Sequence, residues 1–104
     1  MFKAIIKVTL KEKILDPQGK AIEHSLHNLG FHSLGSVRTG KNIEITVDER
    51  ELATAEELIR SACTKLLANQ VTEDYEYQIF DGNGSALASF NSRRGVESIS
   101  GHAG

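Results

Sequence analysis

At 104 residues the chain has the length of one domain, enough for a single modest core but short for an enzyme with its own deep active site. Its 39% hydrophobic and 25% charged content is ordinary for a soluble protein, and a formal net charge of -2, with acids and bases interspersed, excludes a basic nucleic-acid footprint. No apolar run approaches a bilayer span, Met1-Phe2-Lys3 leads into a strand pattern and not a signal peptide, and the single cysteine can form no internal disulfide, so a cytoplasmic protein is expected.

Phe2, Ala4, Ile6, Val8 and Leu10 share one parity and Lys3, Lys7, Thr9 and Lys11 the other, which predicts a first strand with one apolar and one mostly wet face. Ile5 breaks the wet side. Asp16-Pro17-Gln18-Gly19 reads as a helix start, because Asp16 can cap free amides and Pro17 at the first helical position loses no hydrogen bond. Ile22, Leu26 and Leu29 form the apolar stripe of that helix, and Gly30 supplies its left-handed C-terminal residue with Phe31 beyond. Gly19 lowers helicity in the first turn, and close approach of another backbone segment is one reason to have it there.

Gly35 to Asp48 is extended. Gly35, then four residues, then Gly40-Lys41 imitates a phosphate-binding loop, but Asn42 stands where a Ser or Thr hydroxyl would bind magnesium. Ile43, Ile45 and Val47 then alternate with Glu44, Thr46 and Asp48, a strand period where a phosphate loop must open a helix. A two-residue Gly-Lys hairpin would set Val37 opposite Glu44 and Arg38 opposite Ile43, and is rejected. One bent strand and an odd-looped hairpin over 34–48 both satisfy the parity.

Asp48-x-x-Glu51 has the form of a capping box, with Val47 and Leu52 placed as a staple, and predicts the start of a second helix. Leu52, Ala55, Ile59, Ala62, Cys63 and Leu66 form its expected buried stripe, widened by Leu58 and Leu67, with an end at Asn69. Tyr75, Tyr77 and Ile79 alternate with Glu76 and Gln78 in a last strand. After Asp81 the composition turns to Gly, Ser, Ala and Asn, and Leu87, Phe90, Val96 and Ile99 are too scattered for a period, which reads as a C-terminal arm, mobile or docked on a partner. The economical packing is an α+β two-layer sandwich, with two helices on one face of a small antiparallel sheet, β-α-β(β)-α-β and related to the ferredoxin-like plan. Ile5 and Phe80 have the outward parity, so another copy is expected to cover part of the second face.

Little here is catalytic. Cys63 falls on a buried stripe with no basic neighbour set by spacing, the environment of an inert thiol. His24 and His27 are three apart and His32 follows, but spacing places no third metal ligand, so solvated surface histidines are expected. Glu56-Glu57 and Glu73-Asp74 read as helix-surface and turn charges. Arg38 and Lys41 flank a glycine bend, where an anion, a phosphate or an acidic partner side chain could meet them; solvated strand-end charge is the plain alternative, and also the reading of Arg93-Arg94.

Leu15-Asp16-Pro17-Gln18-Gly19-Lys20-Ala21, Leu29-Gly30-Phe31 and Val37-Arg38-Thr39-Gly40-Lys41 leading into Ile43-Glu44-Ile45 resemble, in order and separation, the PurS family. That family is the small subunit of phosphoribosylformylglycinamidine (FGAM) synthase. The resemblance covers residues 1–81 as a PurS-like α+β domain and leaves 82–104 as a Gly/Ser-rich C-terminal extension. It implies a non-catalytic, self-associating adaptor in purine biosynthesis, bridging the glutaminase subunit and the large synthetase subunit and helping ammonia pass between them. ATP and magnesium would be used by the synthetase subunit, with no cofactor, metal or catalytic residue in this chain. On that reading Arg38, Gly40 and Lys41 contact a partner, and Asp16, Pro17 and Gly19 set the helix start near an interface. The alternative, from another class, is an ACT-like regulatory module that binds a small metabolite at a dimer interface. RNA binding on the open sheet face lacks both stacking aromatics and a basic surface.

Overall fold

Seven elements follow one another: β1 (Phe2–Leu10), α1 (Pro17–Asn28), β2 (Gly40–Val47), α2 (Leu52–Ala62), β3 (Glu73–Phe80), β4 (Ala86–Asn91) and β5 (Val96–Ile99). The computed structural model describes residues 1–93 and, as backbone, 96–99; Arg94, Gly95 and the last five residues lie outside the described part. All strands join one antiparallel sheet in the order β2-β1-β3-β4-β5, with β1 flanked by β2 and β3. The architecture is the expected small α+β fold, two helices with an open antiparallel sheet. No described helix is long and apolar enough to cross a membrane.

The period-2 pattern fixes which side of the sheet is dry. Ala4, Ile6 and Val8 of β1 stand opposite Ile79, Tyr77 and Tyr75 of β3, and all six are buried. Ala55 and Ile59 of α2, and Cys63 just after it, join the same core. On the other face Lys3 pairs with Glu44 at 3.2 Å, and Ile5 and Phe80 line an apolar hollow of about 430 Å³ together with Met1, Phe2 and Thr46. The two apolar residues flagged on the wet side therefore do meet in one depression.

The second helix departs from expectation at both ends. It begins at Leu52 with Glu51 at the cap position and no side-chain cap bond, so the Asp48-Glu51 capping box does not form. At its far end Cys63–Leu67 is a π-turn, in which the Ala68 amide donates to the Cys63 carbonyl at 3.0 Å. The wider turn rotates the face by a residue. Leu67 is half-buried and Ala68 buried, while Leu66 is left 82% exposed, against the sequence pattern.

Glu56 is not a surface charge. Its carboxylate lies in the interior, accepts the Tyr77 hydroxyl at 2.7 Å, and neighbours Arg60, whose guanidinium donates to that hydroxyl at 3.0 Å. Burial, with the Glu56 carboxylate second, pushes the Tyr77 hydroxyl well above its ordinary range, so it remains a donor at every physiological pH. Arg93 is likewise not simply solvated: it reaches Asp74 at 3.2 Å and Glu12 at 3.8 Å. The region after Asp81, for which no period could be read, forms β4 and β5.

Removing the Tyr77 hydroxyl leaves a buried carboxylate short of a donor while keeping the ring. Tyr77→Phe is expected to cost about 1–3 kcal/mol of folding stability, read as a lower urea midpoint with unchanged slope.

Candidate functional site

The residues singled out around the two glycines come together at one place, the joint between the start of α1 and the start of β2. Asp16 is its centre. Its backbone is extended, as a helix cap requires, and its Oδ1 accepts the Gly19 amide at 2.9 Å while Pro17 occupies the first turn. Its Oδ2 reaches across the chain and accepts both the Thr39 amide at 2.6 Å and the Thr39 hydroxyl at 2.9 Å. One carboxylate thus closes a helix N-terminus and holds the strand lead-in against it. The Thr39 and Gly19 amides, in that order, hold the Asp16 carboxyl below the usual carboxylate range.

Gly19 sits here because nothing larger fits. A Cβ at this position would collide with the Val37 carbonyl oxygen, so the close approach suggested by an unfavourable residue in a first helical turn is present. Gly40 is tight for the same reason: a Cβ there would lie 2.7 Å from the Val8 carbonyl oxygen. Gly40 and Lys41 open a strand and not a helix, so no helix N-terminus faces them and the phosphate-loop imitation ends there. Residues 35–39 are neither a hairpin arm nor a continuation of the strand; β2 starts at Gly40 and Val37-Arg38-Thr39 leads into it.

The two cations have different duties. The Arg38 guanidinium donates to the Lys11 carbonyl at 2.9 Å and the Leu10 carbonyl at 3.3 Å, closing the end of β1 over the joint. Lys41 is exposed, opposite Val8 in the register, and lines a hollow of about 430 Å³ with Asp16, Pro17, Gln18, Thr39 and Glu73. Of the six predicted positions, Asp16, Gly19 and Arg38 bind the joint from within, Gly40 permits it, and Pro17 and Lys41 remain on the rim. Thr39 is not among the predicted site residues, although a hydroxyl immediately before a strand can partner a helix cap.

The stripe on α1 is the second feature. Leu26 is half-buried, whereas Ile22 is 38% and Leu29 74% exposed, and Phe31 and Leu34 continue the uncovered surface. Gly30 closes the helix in a left-handed conformation at φ 98, with the Phe31 amide on the Leu26 carbonyl and the Gly30 amide on that of His27. The His27 ring donates to the Leu34 carbonyl at 2.6 Å, fixing the following turn, so this histidine is structural and not merely solvated. Across the molecule Ile43 and Ile45 of β2 are only half-buried, beside a groove between β2 and α2 lined by Leu58, Ile59 and Ala62. Cys63 is fully buried and its thiol is pushed up to about 11 by that burial, the inert state expected. Among the described residues no three His, Cys, Asp or Glu side chains are grouped to hold a metal ion.

Residues 3–81 match the PurS family, described as phosphoribosylformylglycinamidine (FGAM) synthase. The chain is 42% identical over 79 residues to the Bacillus subtilis phosphoribosylformylglycinamidine synthase subunit PurS, a match spanning 76% of this chain and 93% of that one. To the Methanocaldococcus jannaschii subunit it is 37% identical, over 76% of this chain and 95% of that one. Among solved structures it is similar to B. subtilis PurS, with a TM-score of 0.70 over 78% of this chain and 100% of that chain, at 42% identity. A chain of the PurLQS structure from Thermotoga maritima superposes at a TM-score of 0.71, covering 76% and 96%, at 33% identity.

Because the Asp16 carboxyl is held low, its contribution to stability is whole above the ordinary carboxylate value of about 4 and declines as pH falls from there towards the lowered value. Asp16→Ala should lower the urea midpoint at pH 7 and flatten that acid-side decline. Gly19→Ala is expected to cost about 1–3 kcal/mol by overpacking against Val37, the reverse of the usual gain from Gly to Ala in a helix.

Proposed function

The chain belongs to the PurS family of phosphoribosylformylglycinamidine synthase subunits, and from that premise we propose that it acts in purine biosynthesis as the non-catalytic adaptor of this enzyme. In this role it bridges a glutaminase subunit and an ATP-using synthetase subunit in the cytoplasm and keeps their sites aligned, so that ammonia released at one reaches the other. The chain supplies geometry; ATP, magnesium and the bond-making belong to the partners.

The observation that carries this reading is the uncovered apolar surface of α1. Ile22, Leu29, Phe31 and Leu34 stand in solvent on a chain whose sheet core is otherwise closed by α2. A contiguous apolar strip of this kind is the mark of a protein contact. The radius of gyration, 16.4 Å, exceeds the roughly 13 Å of a compact chain this long, which fits a helix held out from the body. The inner face of β2 lacks the cover that a second helix would give. Two copies satisfy both needs when α1 of each lies over the groove between β2 and α2 of the other, an isologous exchange. Lys41 and the hollow beside Pro17, at the rim of the joint, are then available to a larger subunit.

Reconstitution tests the role. With purified glutaminase and synthetase subunits, glutamine-dependent FGAM formation should require this chain, whereas formation from added ammonium should depend on it far less. Full glutamine-dependent activity in its absence would overturn the adaptor reading. Leu29→Asp with Phe31→Asp should shift the chain to monomer in light scattering with its circular dichroism intact. Lys41→Glu should weaken assembly with the large subunits without destabilising the fold, whereas Arg38→Glu, by losing two carbonyl contacts, should lower both.

A further inference from the structure

The last two strands have no counterpart in the relatives described above. The family match ends at Asp81, and the whole B. subtilis chain is accounted for by 78% of this one. What β4 covers is the free edge of β3, with its row of unpaired backbone groups. The Ser92 amide donates to the Tyr75 carbonyl at 2.9 Å and the Tyr75 amide to the Ser92 hydroxyl at 2.9 Å. Alternation along the ladder directs the Phe90 and Ala88 amides towards β3 as well. The Phe90 ring lies 5.7 Å from both the Tyr75 and Tyr77 rings, and the Arg60 guanidinium stands 4.7 Å over it.

β3 is also suited to pairing with itself. In a two-fold antiparallel register centred on Tyr77, Tyr75 faces Ile79 of the second copy, and the inner side is made of aromatic and aliphatic side chains without a charge. On the outer side Glu76 faces Gln78 and Asp74 faces Phe80, so from Asp74 to Phe80 no carboxylate opposes another. The edge is therefore complementary in hydrogen bonding and charge to a second copy of this chain.

We propose that the β3 edge is a latent self-association surface and that β4, with β5 paired on its far side, is its intramolecular cover, restricting the assembly of this chain to contacts made elsewhere. The inference does not depend on the adaptor role, because its readout is mass and not activity.

The test uses the full-length chain with its cover loosened. Phe90→Pro removes the ring and one ladder amide. Light scattering over a range of concentrations should show a doubling of mass over the wild type, with β3 amides still slow to exchange hydrogen and β4 amides fast. Adding Gln78→Glu places one carboxylate opposite each Glu76, a like-charge pair on either side of the two-fold axis, and should return the mass to the wild-type value. Ser92→Pro, a milder change, should give the same doubling to a smaller degree. The proposal is overturned if β4 exchanges quickly while the mass stays at the wild-type value, if Gln78→Glu leaves the doubling intact, or if the larger species has unprotected β3 amides. It is also overturned if both proline variants melt the entire sheet or leave β4 protected, since a cover must be removable.

Discussion

A single carboxylate holds the two halves of the site region together. Asp16 accepts the Gly19 amide with one oxygen and the Thr39 amide and hydroxyl with the other. Charged acceptors bind amides more strongly than neutral ones do, and this one joins segments separated by more than twenty residues of chain. The rest of the joint follows from that grip. Gly19 has no side chain because the helix is drawn against the Val37 carbonyl, and Gly40 has none because the strand is drawn against Val8. Arg38 then closes the far side through the last carbonyls of β1. Two of the three blocks that carry the family resemblance, Leu15 to Ala21 and Val37 to Lys41, lie on this joint.

What the joint achieves is orientation. α1 is anchored at its first turn by polar bonds and not along its length by apolar packing, so its stripe stays uncovered while its direction is set. α2 does the opposite: it buries Ala55 and Ile59, with Cys63 just beyond its end, and contributes to the core. The two helices therefore differ in role, one closing the protomer and the other reaching beyond it. An adaptor needs both, since a core that is stable alone can offer an apolar arm without losing its own fold.

Much of this was legible in the sequence. Strand parity placed Ala4, Ile6, Val8, Tyr75, Tyr77 and Ile79 on one dry face, and Asp16-Pro17 and Gly30 marked both ends of α1. Gly19 pointed to a close approach through its cost in a helix. Other features left no periodic trace. A π-turn ends α2 without a local motif to announce it, so Leu66 was assigned to the core beside Leu67 where Ala68 belongs. Glu56 looked like any helix acid because its partner hydroxyl lies 21 residues away on another element. The small residues of β4 hid a strand, since Ala88 packs where a larger side chain would be expected and a bulge beside Phe80 breaks the alternation. The capping box was a motif without its geometry, because α2 begins one residue after the second acid of the pair.

The chain contains no tryptophan, and its two tyrosines both lie on the buried side of β3, in contact with one phenylalanine of β4. Its tyrosine emission therefore originates entirely from this one strand pair. The molecule carries a native optical label on that strand pair, so that ordinary fluorimetry can follow one region without any dye.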